Sequence, residues 1–200
     1  MVTTKTKKSS SAKKNPTWTN VMEKLKDMSS PDLIALIKEL YSTSKDSKTF
    51  LNTRFCRSKS SIEDVKDIIS WSVNPELESG NFRVSFADAR KAISNYAKAS
   101  GDMADVTDLR VYMCEQCASF VYGYCVDYAG YYNSWAAAIK SALIDIKNLP
   151  PNLQTPFVNR MMEVYQIARR YGYFMDSMAE ECFKQYGFLN KTGKDEAVED

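Results

Sequence analysis

From Trp18 to Phe188 apolar residues return in steps of three and four, and no stretch alternates apolar and polar residues between turn signals long enough to build a sheet. That pattern confines the chain to an all-α fold. Pro, Gly and Ser cut it into about eight or nine short amphipathic helices, read as one domain over 17–189 in which helical hairpins pack together. No repeat of solenoid period recurs. A stretch with Pro75 and Gly80, residues 74–84, is a weak internal boundary.

The helix starts have local chemistry. Ser30-Pro31-Asp32 combines a cap, a pre-set φ and an anion at the dipole's positive end, ahead of Leu33, Leu36, Ile37, Leu40 and Tyr41 in a helix over about 30–42. Trp18, Val21, Met22 and Leu25 mark a shorter helix before it, and Phe50, Leu51, Arg54 and Phe55 one after it over 45–57. Ser60-Ser61-Ile62-Glu63 fits a capping box, and that helix stops before Asn74-Pro75. Ser85 with Asp88 opens the next, which Gly101 closes. Val106, Leu109, Met113, Cys117 and Phe120 form one face of the following helix, and a stripe from Tyr128 to Ile146 ends at Pro150-Pro151. Helices over 155–170 and 173–186, separated by Gly172, complete the set.

Charge is uneven. The first 20 residues hold Lys5, Lys7, Lys8, Lys13 and Lys14 and no acid, although the whole chain is only +2. Residues 1–16 bury nothing and are expected to be a disordered arm; 190–200 is expected to be a disordered acidic tail. Five lysines without arginine or interleaved aromatics carry no base-reading element, so nucleic acid is expected only as a weak contact of the Lys5–Lys14 arm. No apolar run reaches the roughly 20 residues of a membrane span, and no secretory apolar region follows the lysines. With five cysteines in no regular framework, reduced thiols in a cytoplasm are expected.

The chain has no histidine. That excludes Ser-His-Asp and Cys-His nucleophiles, His-bearing zinc sites and imidazole proton shuttles. Cys114-Glu115-Gln116-Cys117 has a redox spacing, but it lies mid-helix without a preceding strand, where buried packing is the preferred account. With Cys125 it matches no zinc-finger spacing, and no metal or cofactor is expected. Carboxylates cluster at Asp102, Asp105, Asp108 and Glu115, with Asp127 beyond Gly123; Asp105, Asp108 and Glu115 return near one helix face, and an alternative function is a metal-assisted hydrolase using Asp108, Glu115 and Asp176. Against it, Asp102 and Asp105 suit a helix's first turn. Glu115 flanks the buried stripe, where a carboxylate needs partners.

A surplus of tyrosine shapes the leading reading. Tyr122, Tyr128, Tyr132 and Trp135, with Tyr173, Glu115, Asp176 and Arg54, are the candidate ligand-binding residues of a groove on a soluble, non-catalytic binding or scaffold protein. Its partner would be another protein or peptide. The competing reading packs these rings into the core.

Leu25, Ser29, Asp32-Leu33-Ile34, Leu40-Tyr41, Ser44, Lys48, Phe50-Leu51 and Arg54 resemble the N-terminal pattern of an uncharacterised bacterial all-helical family, a domain of unknown function. Ala89 to Ile93, Asp108-Leu109, Glu115 with Phe120, and Tyr171-Gly172-Tyr173-Phe174 followed by Asp176 extend the resemblance over about 20–188. Met175 stands where that family frequently has histidine. The resemblance implies a helical fold and a bacterial cytoplasm, and no activity.

Overall fold

The structure is a computed structural model and describes residues 16–56, 59–76, 83–124, 126, 128–171 and 174–189, without the side chains of 59–61. The described backbone forms nine α-helices and no β-strand. The expected arm and acidic tail, the side chains of the Ser60-Ser61 capping box, Cys125, Asp127, Gly172 and Tyr173 lie outside the described residues.

The chain divides into two compact units, one ending at Lys48 and one starting at Thr49. The first holds α1 (Trp18–Lys26) and α2 (Ser30–Thr43), and the division falls within α3 (Lys45–Phe55). The cap of α2 is Ser29, one residue earlier than expected: its Oγ accepts from the Asp32 N–H at 3.3 Å and donates to the Asp32 carboxylate at 2.6 Å. Ser30 and Pro31 are therefore the first helical residues, where proline's missing N–H costs nothing. No residue of α1 or α2 is buried, and Trp18, Val21, Ile34, Ile37 and Leu40 are exposed.

The second unit contains α4 (Lys59–Val73), α5 (Phe86–Ser100), α6 (Met103–Tyr124), α7 (Ala129–Asn148), α8 (Pro151–Ala168) and α9 (Met175–Gln185). The boundary suggested at 74–84 joins α4 and α5, which pack against each other. Gly101 ends α5 at φ +66°, a left-handed conformation glycine adopts without a Cβ penalty. Asp102 then caps α6, its Oδ1 accepting from the Ala104 and Asp105 N–H groups. Pro151 both follows the end of α7 and opens α8, so α8 starts earlier than the expected 155 and carries Pro156 inside it. Gln154 reaches back to donate to the Leu149 carbonyl at 2.7 Å, next to the α7 terminus.

α6 is the centre of this unit and touches α4, α5, α7 and α8. One buried stripe is the expected Val106, Leu109, Met113, Cys117, Phe120. A second, Thr107, Val111, Cys114, Ala118, Val121, also returns in steps of three and four and is also buried. Only a helix with neighbours on several sides buries two stripes. Its third face carries Asp108, Tyr112, Glu115, Gln116 and Ser119, all less buried than the stripes.

Candidate functional site

The third face of α6 meets polar side chains from α4 and α8. Asp108 and Glu115 are seven residues apart, close to two helical turns, so they project from one side. Arg160, from the middle of α8, fits between them. Its Nε donates to Glu115 Oε1 at 2.6 Å, its Nη2 to Glu115 Oε2 at 2.8 Å and its Nη1 to Asp108 Oδ1 at 2.5 Å. The planar guanidinium makes a two-bond fork on one carboxylate and a third bond to the other, which a lysine could not match. Lys66 of α4 takes the remaining Asp108 oxygen, Nζ to Oδ2 3.2 Å, and lies 5.5 Å above the Tyr112 ring. One turn on, Gln116 Oε1 accepts from Ser70 Oγ at 3.2 Å and Asn74 Nδ2 at 2.9 Å.

The charges hold one another in place. Burial pulls the Lys66 ammonium down, but the Asp108 hydrogen bond and charge, with Glu63, more than offset it and leave its pKa above the ordinary lysine value. Arg160 is raised by its hydrogen bond to Glu115 and then by Asp108, against burial. Glu115 thus has the partner its position demanded, and the partner is a cation of the chain itself. A metal drawn to Asp108 and Glu115 would have to displace that guanidinium. Among the described residues no group of three or more His, Cys, Asp or Glu side chains could hold a metal ion. Asp176 is exposed in the first turn of α9, where among the described residues Ser177 Oγ donates to it at 3.5 Å, and Arg54 Nη1 donates to the Ala99 carbonyl at 3.3 Å, in the last turn of α5. Glu115, Asp176 and Arg54 therefore have three separate sets of partners. Asp105 accepts from the Tyr96 hydroxyl at 2.9 Å.

No local feature of the sequence marks Arg160 as the partner of these carboxylates. Because α8 starts at Pro151, Arg160 lies mid-helix. The legible signal was the carboxylate flanking a buried stripe.

The aromatic band splits in two. Tyr131, Tyr132, Trp135 and Tyr165 are core residues, at most 3% exposed. Tyr131 donates to the Val73 carbonyl at 2.7 Å and Tyr132 to Val126 at 2.8 Å. Trp135 and Tyr132 therefore do not line the surface groove expected of them, because α7 turns that stripe toward α6 and the centre of the unit. Tyr122, Tyr124 and Tyr128 remain outside, 72%, 43% and 68% exposed, where α6 ends and α7 begins. Tyr124 packs on Phe120 with ring centroids 5.3 Å apart. The Tyr128 ring crosses Gly130 so closely that a Cβ there would lie 2.5 Å from its Cζ, and a larger residue would push the ring off.

Cys114 and Cys117 are fully buried. Burial pushes the Cys114 thiol well above its usual range and Cys117 up to about 12, with a Tyr131 hydrogen bond opposing the latter. Neither is the low-pKa, accessible thiol that disulfide exchange needs. Met175 is completely buried.

A second ion pair lies on the opposite side of α6. Arg110 Nε is 3.0 Å from Asp145 Oδ2 on α7, near enough for charge attraction but not aligned as a hydrogen bond. Burial raises the Asp145 pKa above its usual 3.8, with Arg110 opposing. A carboxyl whose folded pKa is raised binds its proton more tightly folded than unfolded, so stability falls as pH rises from 3.8 through the folded value. Asp145→Asn is expected to remove that fall. Urea denaturation of both proteins between pH 4 and 7 checks it, and parallel stability curves would contradict it.

Comparison of the chain with known protein families, curated proteins and solved structures gives no match. No described helix is long and apolar enough to cross a membrane.

Proposed function

We propose that this chain is a non-catalytic helical binding protein that engages a protein or peptide through the α6–α7 corner, with Tyr122, Tyr124 and Tyr128 as its contact residues. The carrying observation is the exposure of these three rings while Tyr131, Tyr132 and Tyr165 are core. A tyrosine presents a large rigid face with a polar tip at low entropic cost, which is why the residue is enriched in interfaces. The pairing of Asp108 and Glu115 with Arg160 and Lys66 supports a binding rather than a hydrolytic role, since the carboxylates are engaged in holding α4, α6 and α8 together. Membership of the uncharacterised bacterial helical family and a reducing cytoplasm belong to the same reading, which the free thiols Cys56, Cys114, Cys117 and Cys182 fit.

A photo-crosslinking amino acid at position 122 or 128, expressed in the source cells, is expected to give the same discrete protein adduct from both positions. The exposed Lys140 on α7 is the control and should give none. Identical adduct patterns at all three positions, or no adduct at 122 and 128, would overturn the assignment.

A further inference from the structure

Between α5, α6 and α7 lies a solvent-open pocket of about 320 Å³, with Arg90, Ser94 and Ala137 exposed at its rim. That volume is at the lower end of small-ligand pockets, about 300–1,000 Å³. At roughly 30 Å³ for each water-sized group it holds on the order of ten non-hydrogen atoms. Ile93, Met113 and Ala138 form its apolar wall, while Arg90, Arg110 and Ser94 bring polar atoms to it. No acidic side chain and no aromatic ring lines it.

Two features give the pocket a chemical preference. The Arg110 Nε lies in charge contact with Asp145 at 3.0 Å, and neither of its outer nitrogens bonds a described residue. Arg90 is exposed and has no hydrogen bond or ion pair among the described residues. Two guanidinium groups with donors to spare beside an unlined-by-acid wall suit an anionic head, which a planar fork binds through paired hydrogen bonds. The methylene, methyl and thioether groups of the wall suit a flexible aliphatic tail, and Met113 adapts to its shape. Without an aromatic ring there is nothing to stack a nucleobase or a sugar ring.

We propose that this pocket is a binding site for a small anionic amphiphile, an aliphatic chain of about eight carbons ending in a carboxylate or phosphate. The site is separate from the tyrosine corner, and either assignment can fail without the other.

Isothermal titration with octanoate, octyl phosphate and octylamine tests it on the full chain. Saturable one-to-one binding of octanoate or octyl phosphate, the tighter of the two naming the head group, with none of octylamine, is the expected result. Arg90→Ala, at an exposed position, should weaken it at least about tenfold by removing a charged hydrogen-bond donor. Ala138→Leu should abolish it by filling the wall, with circular dichroism showing whether each variant keeps its helices. Failure of both anions to saturate the wild type, equal binding of octylamine, or unchanged affinity in a folded Arg90→Ala protein would overturn the proposal.

Discussion

Trp135→Ala is expected to destabilise the second unit by about 3–5 kcal/mol, the usual cost of emptying a fully buried large aromatic site. Trp135 is 0% exposed on α7 and belongs to the same core cluster as Leu109, Ile139 and Met161, so nothing nearby can collapse into the space without moving a helix. At about 2–4 °C per kcal/mol for a chain of this size, the melting temperature should fall by roughly 6–20 °C. Thermal and urea denaturation followed by circular dichroism measure it. Tyr122→Ala, at a side chain 72% exposed, should stay within about 0.5 kcal/mol of the wild type. Trp135→Phe should cost less than Ala, because it keeps much of the ring and removes an indole Nε1 that is buried without a described partner. A Trp135→Ala protein as stable as the wild type would contradict this prediction and show that neighbouring core residues close the space.

Arg160→Met is expected to cost about 2–3 kcal/mol. Removing one member of a fully buried ionic network costs about 3–5 kcal/mol, because the partners are left as unpaired charges. Here the side chains of Arg160, Asp108 and Glu115 are 30%, 22% and 30% exposed, so water screens part of that loss. Lys66 still pairs Asp108, which leaves Glu115 as the main orphan. Adding Glu115→Gln to Arg160→Met should therefore recover part of the stability, whereas Glu115→Gln alone should destabilise. Strict additivity of the two single changes in a double-mutant cycle would show that Arg160 and Glu115 do not act as a pair.

Much of the helical pattern was legible because its signals are local. A cap, a proline and a glycine act within a few residues of their own backbone, as Ser85, Gly101 and Pro151 do. The errors were also local: the cap of α2 moved by one residue to Ser29, since two serines in succession offer the same oxygen. The candidate site was legible in halves. Glu115's need for a partner followed from its place beside a buried stripe, but the partner was 45 residues away in sequence, and no local pattern distinguishes Arg160 from any other helical arginine.

The sequence by itself determined that this chain is helical, where most of its helices start and stop, and that histidine chemistry is closed to it. Tertiary structure alone decided the second buried stripe of α6, the capture of Asp108 and Glu115 by Arg160, and the division of the tyrosines into a core group and an exposed corner. The physical reason is common to all three. Periodicity records which residues share a face of one helix, while burial and ion pairing depend on which other helices that face meets, and α6 meets four.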